Sequence, residues 1–147
     1  MNLDSRLSSV LHALLHMAAH DGAMTSDELA ACMGTNPVVV RRSMGHLRDA
    51  GIVGSERGPA GGWRITGDLS AITLLQLHDA LGETAVFAFG PRNRNPQCLV
   101  ERAVNTALAD AMDAAEALLR DRLGRVTLAQ LAADFTAAHD SRRQHKD

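Results

Sequence analysis

The chain has 147 residues, 46% of them hydrophobic, a formal charge of −2, and almost no aromatic side chains: 3%, with no tyrosine. That length suits one ordinary domain or two small interlocked ones, with Leu, Ala, Val and Met filling the interior of closely packed helices. No apolar run is long enough to span a bilayer, and Met-Asn-Leu-Asp-Ser-Arg at the start lacks the layout of a signal peptide, so a soluble, cytoplasmic protein without a membrane partner is expected. Two cysteines, Cys32 and Cys98, cannot form a disulfide framework or by themselves a complete metal site.

Residues 3–20 read as a first helix, with Leu7, Leu11, Leu14, Met17 and Ala18 near its core stripe and Asp21-Gly22 as its stop. His12, His16 and His20 recur every four residues along it. That spacing suits a transition metal, but no cysteine or carboxylate series completes the set, and solvated helix-face histidines are the simpler reading; no metal site is expected.

Residues 25–66 organise the rest. A short helix opens with Thr25 or Ser26 as N-cap and Glu28 completing a capping box, and Met-Gly-Thr at 33–35 breaks it. A second helix opens with Asn36 as N-cap and Pro37 at its first position and ends near Ala50, with Gly51 placed for a left-handed conformation. Val40, Met44 and Leu47 share its inward face. Val38, Arg42, Gly45 and Asp49 lie opposite, with Arg41 and Arg48 on a flank. An exposed face of small residues and arginine just after a tight turn is what insertion into a DNA major groove requires. Two β-prone runs, 52–55 and 63–66, joined by Gly58-Pro59-Ala60-Gly61-Gly62, form a wing flanked by Arg57 and Arg64. Cys32 reads as a small core residue, and Trp63 as the side chain that packs the hairpin onto the helices.

Charge tempers this reading. Residues 1–67 carry six arginines and six acidic groups, so phosphate contacts depend on the local cluster of Arg41, Arg42, Arg48, Arg57 and Arg64 rather than on overall basicity.

Residues 70–81 form another amphipathic helix, capped by Ser70 or Thr73 and stopped by Gly82. The irregular stretch 83–97 contains Phe87, Phe89, Gly90-Pro91, Arg92, Arg94 and Pro96, a loop length that is often functional. It leads to Cys98 at a helix start, where the helix end and nearby arginines lower a thiol's pKa; a cysteine tucked against the core is the equally good alternative. From Cys98 to Leu123 runs the longest helix, with Val100, Val104, Ala107, Leu108, Ala111, Ala115, Leu118 and Leu119 at three- and four-residue spacing. Its alanine-rich seam suits dimerisation, ordinary packing within one chain being the alternative. Gly124 is expected to end it, Thr127 to cap a last helix over 128–138, and the polar tail 139–147 to fray.

The run Leu47 to Trp63, Leu-Arg-Asp-Ala-Gly-Ile-Val-Gly-Ser-Glu-Arg-Gly-Pro-Ala-Gly-Gly-Trp, closely resembles the wing signature of the Rrf-two family of bacterial transcription regulators, the group of IscR, NsrR and CymR. Ile72-Thr73-Leu74 and Val126-Thr127-Leu128 resemble that family's pattern too, so the resemblance spans almost the whole chain. It implies a mainly α fold with a small β wing, a winged helix-turn-helix plus a long C-terminal dimerisation helix. It also implies a homodimer that binds a partly palindromic double-stranded DNA operator, usually as a repressor. The corresponding organisation is a DNA-binding unit over 1–82, a sensor or linker loop over 83–97, dimerisation helices over 98–138 and the tail. By position, Asn36, Val38, Val39, Arg41 and Arg42 match the recognition-helix contact region, and Arg57 matches a wing arginine that enters the minor groove. Thr25 and Ser26, at a helix N-terminus, suit a phosphate. Cluster-binding members carry three closely spaced cysteines after the fourth helix. Here only Cys98 stands there, so no cofactor and no iron–sulfur cluster are expected. The signal is left to thiol oxidation at Cys98 or to a small-molecule effector lodged near the 83–97 loop. An enzyme is not expected, since no phosphate loop, nucleophile elbow or catalytic pairing is legible. A winged-helix module for protein–protein contact alone is the competing reading that neutral charge permits.

Overall fold

The computed structural model describes residues 5–82 and 97–144. Its described elements run α1 (Ser5–Ala19), α2 (Ser26–Met33), α3 (Pro37–Asp49), β1 (Val53–Glu56), β2 (Gly62–Ile65), α4 (Leu74–Ala80), α5 (Leu99–Arg125) and α6 (Leu128–Gln144). The architecture is therefore mainly helical with one two-stranded antiparallel sheet, the arrangement of a winged helix-turn-helix. No helix among the described residues is long and apolar enough to cross a membrane.

Local rules account for the helix starts. Thr25 is the N-cap of α2 and forms a reciprocal capping box with Glu28. Asn36 caps α3, its side-chain oxygen accepting from the amides of Val38 and Val39, with Pro37 in the first turn. Gly51, at φ +75°, adopts the left-handed conformation that turns the chain from α3 into the wing.

The core lies beneath α1 to α4. Val10, Leu14, Leu29, Val40, Met44, Leu47, Leu77 and Leu128 are completely buried. On α1 the buried stripe is Val10, Ala13, Leu14 and Met17, whereas Ala18, expected inward, is exposed: the stripe follows i, i+3, i+4, i+7 from Val10. Cys32 is half-buried against the core's edge rather than inside it. Arg6 pins this assembly together, donating to the carbonyl of Leu81 at 3.0 Å while its other terminal nitrogen lies 3.1 Å from His46 Nδ1 on α3.

The wing pairs Val53 with Ile65 and Ser55 with Trp63. It is joined to the helices by a bridge between Met24 and Trp63, whose amides and carbonyls exchange hydrogen bonds of 2.9 and 2.7 Å. A side chain on Gly62 would collide with the backbone of Met24 and Thr25, so this approach requires glycine.

Three boundaries differ from the sequence reading, two of them for one reason. A second bridge joins Thr73 to Thr127, with the Leu74 amide donating to Val126 and the Leu128 amide to Ile72. Thr73 is therefore extended, and α4 begins at Leu74 with Thr73 as its cap, while Ser70 sits in a turn closed on Asp68. Likewise Gly124 does not stop α5. The helix runs to Arg125 and ends where Val126 turns extended to make that bridge. At the far end, α6 continues to Gln144, past the expected stop at 138. The loop expected over 83–97 lies outside the described residues except for Gln97, which is exposed.

Candidate nucleic-acid interface

The exposed side of α3 begins with Val38 and Val39, which are 67% and 41% exposed although α3 buries Val40, Met44 and Leu47 completely. Arg41 and Arg42 follow one turn later, both exposed, and then Gly45. Nothing lies within 4 Å of where a Gly45 side chain would begin, and its backbone is not left-handed. The fold therefore makes no demand for glycine there, although glycine inside a helix is less stable than alanine by about 0.5–1 kcal/mol. The result is a bare helix face bordered by guanidinium groups.

The wing presents Arg57 beyond the end of β1, just before a turn closed by a hydrogen bond from the Gly61 amide to the Gly58 carbonyl. Among the described residues, Arg41, Arg42 and Arg57 form no ion pair. Arg64 differs: its Nε donates to Glu56 Oε1 at 2.8 Å across the hairpin, so its guanidinium is already paired with a carboxylate. Arg48 lies 3.5 Å from Asp49 on the solvent side of α3.

The other candidate residues have duties inside the fold. Thr25 donates its hydroxyl to Glu28 at 2.9 Å, and its amide donates to the same carboxylate at 2.7 Å. Those hydrogen bonds, the backbone one foremost, hold the Glu28 carboxyl below its ordinary pKa. A phosphate at the N-terminus of α2 would thus meet a carboxylate already seated there. Ser26 accepts a 3.0 Å hydrogen bond from the Trp63 indole, a contact that sequence reasoning missed because the two residues are distant in the chain. Asn36 has its carbonyl oxygen engaged by the cap of α3.

On α5, the Cys98 thiol is exposed at the N-cap position without a capping hydrogen bond. The amides of Glu101 and Val100 at the helix start nevertheless draw its pKa below the ordinary thiol value. The rest of α5 has no buried residue: Val100, Val104, Leu108 and Leu118 are 51–72% exposed. Near its end, Arg120 grips Asp79 of α4 with two hydrogen bonds of 3.1 and 3.0 Å, and Asp79 in turn meets the buried His78 at 3.2 Å.

On α1, His12 and His16 stack with ring centroids 4.8 Å apart, and Phe135 of α6 lies 6.3 Å from His16. His20 falls beyond the end of the helix. Between the end of α3 and α4 lies an open groove of about 440 Å³ whose polar lining includes Asp68, Gln76 and Asp79. Each is already engaged: Asp68 by Ser70, Gln76 in the cap of α4, Asp79 by Arg120.

The chain matches, over residues 3–134, the model of the Rrf2 family, described as iron-dependent transcriptional regulators. It is 29% identical over 126 residues to YwnA of Bacillus subtilis strain 168, a protein named as an HTH-type transcriptional regulator, covering 86% of this chain and 93% of that one. A solved structure from Lactobacillus plantarum, described as a transcriptional regulator, superposes with a TM-score of 0.73 at 24% identity, covering 97% of this chain and 98% of the other. Another, described as a DNA-binding protein, superposes with a TM-score of 0.68 at 27% identity, covering 86% and 97%.

Iron in such a regulator requires ligands. Iron–sulfur clusters are held mainly by thiolates, commonly four. Cys98 is the only thiol on the C-terminal side, two copies of the chain would bring two, and residues 83–96 contain no cysteine. Among the described residues no three His, Cys, Asp or Glu side chains gather as metal ligands. This donor set does not fit a thiolate-bound cluster. The chain belongs to the Rrf2 family of transcriptional regulators, with that family's DNA-binding fold and no enzymatic role.

Proposed function

We propose that the protein is a homodimeric, sequence-specific repressor that binds a partly palindromic operator. The observation that carries this is the face of α3, where Val38, Val39, Arg41 and Arg42 are exposed on a helix whose other side is sealed into the core, together with an exposed Arg57 on the wing. A helix supported in this way can enter a major groove while the wing arginine reaches an adjacent minor groove or phosphate. In this reading residues 1–82 engage DNA, and α5 with α6 holds the second copy.

The dimer rests on α5. It spans about 40 Å, and its stripe of Val100, Val104, Leu108 and Leu118 is 51–72% exposed. An exposed apolar stripe of that length is costly in water, and two-fold pairing of identical stripes removes it. Such a dimer sets two recognition helices at half-sites about one helical turn of DNA apart.

The regulator acts in the cytoplasm without a cluster, since its donor set offers one thiol per chain on the C-terminal side. Its signal is the oxidation of Cys98, favoured by an exposed thiol of lowered pKa. Peroxide attacked by that thiolate gives a sulfenic acid and hydroxide, and a second Cys98 thiol then gives a disulfide and water. A small-molecule effector near the 83–97 loop is the second route. Thermal-shift screening tests it by ligand-dependent stabilisation.

A gel-mobility shift with the region upstream of the protein's own gene tests the function. A specific shift supports it. No specific shift under reducing or oxidising conditions would favour a protein–protein module, the reading that the balanced charge of residues 1–67 allows. The absorption spectrum of anaerobically purified protein tests the absence of a cluster: visible charge-transfer bands would overturn it.

A further inference from the structure

The first turn of α3 faces outward with methyl groups rather than hydrogen-bonding groups. Val38 is 67% exposed and Val39 41%, and neither is needed by the core, which α3 supplies through Val40, Ser43, Met44 and Leu47. Asn36 precedes them as the N-cap of α3. Reading adenine requires an amide to accept at its oxygen while donating from its nitrogen. The Asn36 oxygen instead accepts the amides of Val38 and Val39 at 3.0 and 3.1 Å. No acidic residue stands in this turn to accept from the amino group of cytosine.

On the major-groove edge of a base pair, the only methyl group is the C5 methyl of thymine. A valine against any other edge strips water from donors or acceptors and offers nothing in return. A protein partner is the less suitable occupant, because the two valines are followed one turn later by the exposed Arg41 and Arg42, a charge pattern complementary to the phosphates that border a groove. Gly45, two turns along the same face, leaves the helix free to sit close to the groove.

We infer that Val38 and Val39 are specificity-determining residues that select thymine, through its C5 methyl, in each operator half-site. This rests on the DNA-reading function proposed above and names the bases it reads.

The test uses the full-length protein. A duplex is selected from a randomised pool at fixed salt, each thymine of the selected half-site is replaced singly by uracil, and binding is followed by fluorescence anisotropy. At one or two positions uracil should weaken wild-type binding about four-fold per lost methyl, the effect of burying one methyl-sized group. Val38→Ala or Val39→Ala should bind the thymine and uracil duplexes equally at those positions, with an unchanged melting temperature. A sequence-specific duplex insensitive to uracil at every position would overturn the inference while leaving the proposed function intact, as would variants that keep full sensitivity. Enrichment of no sequence at all would overturn the function and the inference together.

Discussion

The indole of Trp63 donates a 3.0 Å hydrogen bond to the hydroxyl of Ser26, fastening the wing to the first residue of α2. Trp63 is 9% exposed, and its backbone is bridged to Met24 directly before that helix. One residue thus fixes the position of the wing relative to the helix pair. Trp63→Phe keeps much of the ring but leaves Ser26 without its donor. It should lower stability by about 1 kcal/mol from the hydrogen bond plus a contribution from lost volume. Thermal unfolding at fixed protein concentration measures this, and Ser26→Ala should reproduce only the hydrogen-bond part.

Gly45 separates stability from function. With open space around its missing side chain and an ordinary helical backbone, Gly45→Ala should stabilise the fold by about 0.5–1 kcal/mol. If α3 lies in a groove, the same change should weaken operator binding. A higher melting temperature combined with a higher Kd is the expected pair of results, read by calorimetry and anisotropy on one preparation.

Leu108 lies in the middle of the α5 stripe and is 59% exposed in the protomer. Leu108→Lys should therefore leave the protomer folded while placing two like charges across a two-fold seam. Sedimentation equilibrium should show a dimer for the wild type and a monomer, or a far weaker dimer, for the variant.

The Asp79–Arg120 pair joins α4 to α5 and gives the protein an acid-sensitive contact. Burial alone would raise the Asp79 pKa. The hydrogen bonds from Arg120 and His78, and their charges, outweigh it and pull the carboxyl below its ordinary value of 3.8. Stability from a depressed carboxylate is present above the unfolded value and is lost as pH falls through the folded one. Because Asp79 is 46% exposed, the pair contributes no more than about 1 kcal/mol. The gap in melting temperature between wild type and Asp79→Asn should be constant near neutrality and close below pH 3.8.

What was legible in the sequence was local. Thr25 with Glu28 and Asn36 with Pro37 mark helix starts through side chains within three residues of the backbone groups they satisfy, and Gly51 marks a conformation that other residues resist. What was not legible was long-range. Neither the extended Thr73 nor the continuation of α5 through Gly124 follows from neighbouring residues, because both come from a bridge between Thr73 and Thr127. The interface divides in the same way. Val38 and Arg42 are placed outward by helical periodicity, with Arg41 on a flank, and all three are exposed; Val39, also exposed, was reached only through the family resemblance. The ties that occupy Ser26 and Arg64 depend on hairpin register and packing, which spacing does not reveal.

DNA reading by α3 and the wing is measured most directly by the affinity of the full-length protein for its upstream region across a range of salt concentrations, compared with Arg57→Ala. Sequence-specific binding is expected that the substitution weakens, with a salt slope reduced by about one unit for one lost phosphate contact. Equal affinity, slope and sequence preference in the two proteins would contradict the placement of the wing on DNA. Absence of any sequence preference in the wild type would contradict the function itself.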